Sequence, residues 1–114
     1  MTSARNTYRN DLLPTEFYLG QNYPNPFSAT TTIKFCLAYK TRVILEVFDS
    51  EGMMIQQLLD DEKDPGTYKA DFDASHLSEG VYIYQLQVGD FLSKKKMTVL
   101  RQGYMSINGQ RNRR

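Results

Sequence analysis

A single histidine, His76, follows Ser75 and lies two residues ahead of Ser78, and hydroxyl, imidazole and carboxylate groups are the raw material of nucleophilic catalysis. Nothing around them has the strand-to-helix elbow that exposes a nucleophile, so His76 reads as an ordinary exposed loop histidine. It also has no neighbouring ligands of the kind a zinc site needs. The acidic run at 60–64 clusters hard oxygen donors as calcium would require, but lacks the central glycine and closing glutamate of an EF-hand loop. The simpler reading is a solvated loop that keeps a sheet edge from aggregating. Asp71 and Asp73 could form a carboxylate pair for glycoside hydrolysis, although the same spacing describes the wet side of an amphipathic strand. One cysteine, Cys36, excludes an internal disulfide, and its neighbours Phe35 and Leu37 suggest a small buried hydrophobe. No catalytic group, metal or cofactor is expected.

Two basic features remain. Lys94, Lys95 and Lys96 fall in the last apolar-alternating segment, where alternation puts Lys95 on the face opposite its neighbours. Such lysines oppose strand addition at an edge, and could also meet an acidic receptor groove. The tail from Arg101 has four arginines, two glycines and no acidic residue, and is expected to have no fold of its own. It lacks interleaved aromatic stacking residues, so no nucleic-acid partner is expected. Eight tyrosines raise a carbohydrate platform as a further reading, although most alternate toward the core.

The elements that would position these residues are strands. A chain of 114 residues is one domain's worth, and a net charge of +1 gives no global attraction to nucleic acid or anionic membrane. No apolar run approaches the roughly 18 residues of a membrane helix. Residues 1–12 are read as a linker or non-native segment, 13–101 as the folded domain, and 102–114 as a basic tail. Within the domain, β-branched and aromatic residues recur in short segments punctuated by Gly, Pro and Asp. Strands are predicted at 16–20, 30–37, 42–49, 53–59, 66–73, 80–88 and 91–100. The 42–49 segment is apolar on both faces and is expected at the centre of its sheet. Tyr23 and Phe27 are expected to pin a proline-rigid stretch onto the core. A single helical turn is the expectation for 74–79, and Gly89-Asp90 reads as a two-residue hairpin turn. Seven closely spaced strands predict an all-β, antiparallel β-sandwich.

Several of these segments also occur in order in one family. Leu13 to Leu19, Gln21-Asn22-Tyr23-Pro24-Asn25-Pro26-Phe27 and Thr31-Thr32-Ile33-Lys34-Phe35 resemble the opening of type A C-terminal sorting domains of the type IX (Por) secretion system. Pro65-Gly66-Thr67-Tyr68, Asp73-Ala74-Ser75, Gly80-Val81-Tyr82-Ile83-Tyr84, Gly89-Asp90-Phe91 and Lys94-Lys95-Lys96-Met97 continue the pattern. The resemblance implies a seven-stranded immunoglobulin-like sandwich, carried by a larger exported protein and directing its upstream cargo across the outer membrane to the cell surface or medium. It implies as partners the outer-membrane secretion machinery and a surface peptidase that removes the domain. By position, Lys94, Lys95 and Lys96 match the family's basic last-strand motif, and Gly80, Tyr82 and Tyr84 its glycine-tyrosine signature. The chain departs from the family at Ser28-Ala29, where Asn-Pro is usual, at Cys36, and in continuing to Arg114 beyond the last strand. Immunoglobulin-like modules of flagellar hook-capping proteins share the 23–27 and Thr31-Thr32-Ile33 segments, so a structural scaffold stays open, as does a carbohydrate-binding module. Exposed edges and Cys36 would also permit a homodimer.

Overall fold

The structure is a computed structural model, described here for residues 13–101; the segments 1–12 and 102–114 lie outside the described residues. Seven strands follow in order: β1 (Tyr18–Leu19), β2 (Thr30–Leu37), β3 (Thr41–Phe48), β4 (Met54–Lys63), β5 (Gly66–Asp73), β6 (Gly80–Val88) and β7 (Phe91–Val99). They form two antiparallel sheets, ordered β1-β2-β5 and β4-β3-β6-β7. The all-β sandwich expected from the sequence is therefore what the chain forms. In constant-type immunoglobulin domains the fourth strand pairs beside the fifth, whereas here β4 lies beside β3.

The turn between β3 and β4 explains that choice. Asp49 accepts backbone bonds from Glu51 and Met53 on its carboxylate, each at 2.9 Å, and the Gly52 amide closes onto the Asp49 carbonyl at 3.0 Å. A turn this tight returns the chain directly alongside β3. Only Asp64 and Pro65 separate β4 from β5, and proline, unable to donate to a ladder, marks the point where the chain leaves one sheet for the other.

Alternation along each strand builds the core. Ile33, Phe35 and Leu37 of β2 meet Val43, Leu45 and Val47 of β3, with Tyr84, Leu86, Met97 and Val99 closing the layer, all essentially inaccessible. The segment β3 is central, between β4 and β6, as its two apolar faces require. The β6–β7 hairpin turns in two residues, with Val88 paired to Phe91 and positive φ (57°) at Gly89 alone, where glycine has no steric penalty.

Five local expectations are corrected. The first strand contracts from 16–20 to two residues. The acidic run does not form a loop: Asp60 to Lys63 extend β4 and pair with Thr41 to Ile44, supported by an Arg42–Asp60 ion pair at 2.7 Å. Residues 74–79 form turns rather than a helical turn, because Asp73 caps the Ser75 amide with its carboxylate. Cys36 is half-buried on the outer face of β2, its Sγ 3.5 Å from the Thr67 hydroxyl. Phe27 is buried as expected, but Tyr23 is 80% exposed, and the polar residue before it, Asn22, is buried instead.

Candidate functional site

Gly80 opens β6 with φ of 150°, a backbone conformation that L side chains rarely adopt, and starts the strand in register with Val99 of β7. From there Tyr82 and Tyr84 point inward. The Tyr82 hydroxyl donates to the Ser78 carbonyl at 2.8 Å. The Tyr84 hydroxyl is fully buried, donates to the Gly20 carbonyl at 2.6 Å and accepts from the Asn22 amide at 2.8 Å. One phenol thus ties the four-stranded sheet to the chain leaving β1. Burial pushes its pKa up to about 12, against the opposing pull of the Asn22 amide.

Asn22 extends that link outward. Its Nδ2 donates to the Thr31 hydroxyl (2.9 Å) and the Pro24 carbonyl (3.2 Å), and its Oδ1 accepts from Gln21 Nε2 at 2.7 Å. Gln21 Nε2 also donates to the Lys96 carbonyl at 2.7 Å. Further along, Asn25 Oδ1 accepts from the Thr98 amide at 2.9 Å, and Phe27 exchanges backbone bonds with Thr98 (3.0 Å) and Leu100 (2.8 Å). Residues 21–27 therefore strap the outer edge of β7 from Lys96 to Leu100. Among the described residues, no such bond is made to Leu92 or Lys94, so the first half of that edge is open.

Lys94 and Lys96 stand exposed on the outer face of β7, opposite Gln85 and Ile83, while Lys95 pairs with Tyr84 on the inner side of the edge. Across the sheet, Met54, Phe48, Ile83 and Lys96 lie in one register row, and Gln57, Glu46, Gln85 and Lys94 in the next. Phe48, Ile83, Gln85 and Lys94 border a shallow depression of about 160 Å³. The first row is an apolar strip that ends at the Lys96 ammonium group, with Lys94 beside it at the end of a polar row in which Gln57 donates to Glu46. Among the described residues the one ion pair joins Arg42 to Asp60, so neither lysine is neutralised by a carboxylate.

The structure places Lys94 and Lys96 on a surface, and Gly80, Tyr82 and Tyr84 in the framework beneath it. His76 and Ser78 border an open depression near Asp49 and Glu51, with Ser78 turned toward Tyr82. Asp71 accepts from the Thr32 hydroxyl at 2.8 Å, and Asp73 holds the Ser75 amide, a bond that lowers its pKa. Sequence reasoning missed Asn22 and Arg101. The guanidinium of Arg101 donates to the carbonyls of Ser28, Ala74 and Leu77, and its amide to Glu79, so this residue closes the fold rather than starting a tail. No local signal points to Asn22, because the partners that bury it, Thr31 and Tyr84, lie far along the chain.

A family model described as a secretion system C-terminal sorting domain matches residues 21–100, which is most of the chain. The match begins at the strap and ends where it lets go of β7. No curated protein matches the chain.

Proposed function

This chain belongs to the family of secretion-system C-terminal sorting domains, and from that premise we propose that the outer face of β4-β3-β6-β7, at its β7 margin, is the surface the export machinery reads. Membership makes the chain a type IX sorting signal, which carries an upstream cargo through the periplasm to the cell surface or medium. The family's role is that of a signal and not of a catalyst.

The observation that carries the proposal is the pair Lys94 and Lys96, exposed, without carboxylate partners and continuous with the Phe48–Ile83 strip. A receptor that pairs acidic groups with an apolar ridge would engage both at once, and charge would set its approach rate and orientation. Gly80, Tyr82 and Tyr84 act from below, fixing where β6 starts and how β7 is strapped, and so position the lysines without touching the partner. Removal by a surface peptidase is placed ahead of Leu13. That reading is supported by β1 starting only at Tyr18, since a cut there leaves all seven strands together. A homodimer would use the unpaired outer edge of β5.

The test fuses residues 12–101 and, separately, 12–114 behind a periplasm-targeted fluorescent protein in a host with type IX machinery. Export should vanish in an isogenic strain lacking the outer-membrane channel. A Lys94→Glu/Lys96→Glu double variant should stay folded and remain in the periplasm. Normal export of that variant would remove the lysines from the recognition surface.

A further inference from the structure

The opposite side of the molecule carries a second, unrelated surface. On the outer face of β1-β2-β5 lies an open cleft of about 750 Å³, bordered by Tyr18, Tyr23, Thr32, Lys34, Lys69 and Asp71. Tyr18 and Tyr23 are 53% and 80% exposed. Both sit on the same side of β2, Tyr18 opposite Cys36 and Tyr23 opposite Thr32, four residues and so about 13 Å apart along the strand. Between them is Gly20, where a Cβ would come within 3.2 Å of both the Lys34 carbonyl and the Tyr18 ring, so the missing side chain leaves the floor of the cleft open.

The floor is built against its own stability. Lys34 and Lys69 face each other directly across β2 and β5, a like-charge pair that costs a sheet free energy. The neighbouring carboxylate, Asp71, is held by the Thr32 hydroxyl on the same strand pair. Between the two tyrosines the backbone of β2 is paired on both sides, with β5 and with Gly20 and Tyr23, so the middle of the cleft offers side-chain chemistry, and the open ladder of β5 lies at its margin. That chemistry is two aromatic faces, two ammonium donors and one acceptor.

We propose that this cleft binds a short stretch of acidic, uronate-bearing polysaccharide. A pyranose ring presents an apolar C–H face that stacks on tyrosine, hydroxyls at its rim that exchange bonds with Asp71 and Thr32, and a carboxylate that the Lys34–Lys69 pair receives. An apolar peptide would match the rings but not the floor, and an uncharged sugar would leave the two ammonium groups unanswered. The inference stands apart from the sorting reading, since it uses the other sheet and none of the β7 lysines.

The experiment is titration calorimetry of the 114-residue protein with oligogalacturonate and oligoalginate, beside uncharged xylo-oligosaccharide. Saturable binding to a uronate oligomer is expected, weaker at higher salt. Tyr23→Ala and the Lys34→Gln/Lys69→Gln pair should each reduce the affinity by about tenfold, the scale of one lost aromatic or ionic contact. The Lys pair variant should melt no lower than the parent, because a repulsion is removed. Lys94→Glu/Lys96→Glu should bind as the parent does, which separates this site from the export surface. Absence of binding to both uronate oligomers, binding unmoved by Tyr23→Ala, or equal binding of the uncharged oligomer would overturn the proposal.

Discussion

Burial disfavours the ionised form of Tyr84, more than the Asn22 amide favours it, and the folded state therefore resists ionisation that the unfolded chain accepts. The unfolded phenol titrates near its ordinary value of 10, the folded one at about 12. Between those values the unfolded state binds fewer protons, so stability falls as pH rises through the interval, and is complete below it. The expected loss is about 2–3 kcal/mol, read as a drop in urea midpoint at stepped alkaline pH. In Tyr84→Phe that component of the alkaline slope should disappear. The same variant should be less stable by about 1–3 kcal/mol at neutral pH, because the Gly20 carbonyl loses its donor. Arg101→Ala should cost a similar ~1–3 kcal/mol in thermal melts, since it strips donors from carbonyls of two separate loops, at Ser28 and at Ala74 and Leu77. A melting temperature unchanged by Arg101→Ala would mean that water replaces it fully.

At the scale of elements, periodicity was a reliable guide where one face is wet and the other dry. The strands β2 and β5 have the predicted bounds, because Ile33, Phe35 and Leu37 or Ala70 and Phe72 alternate with polar residues without interruption. The acidic half of β4 was hidden because edge strands recruit the charges that composition assigns to loops. Asp61 and Lys63 lie opposite Val43 and Thr41, on the inner side of the edge, and Lys95 is placed likewise on β7. Inward-side charges make both margins poor templates for a further strand. Replacing Asp61 and Lys63 by valine should promote concentration-dependent association, seen as a faster-sedimenting species, while an unchanged monomer would show that the bulges already protect β4. The exchange of Tyr23 for Asn22 was illegible for another reason. Which of the two turns inward is decided by Thr31, Pro24 and Tyr84, residues up to 62 positions away, and not by the local pattern. The lysines could be placed on β7 from sequence alone, but the apolar row leading to Lys96 appears only when four strands are in register.

For the molecule as a whole, the two sheets differ in their outer surfaces: one presents lysines beside an apolar strip, the other a tyrosine-lined cleft. What joins them is the strap at 21–27. It also decides how the domain bears tension. The strap and the end of β7 run parallel, with Phe27 bridged to Val99, so a pull on the chain ahead of the strap and on the chain beyond Leu100 drives the two segments past each other lengthwise. Bonds at Lys96, Thr98 and Leu100 are then loaded together, as a lap joint carries load, rather than opened one after another as a zipper is. Stretched by its ends in single-molecule force spectroscopy, the domain should yield at a markedly higher force than when pulled across the β6–β7 hairpin, where the ladder peels from its turn. A sorting signal tethered to its cargo on one side and gripped near β7 on the other would thus stay folded while the load on it is hauled.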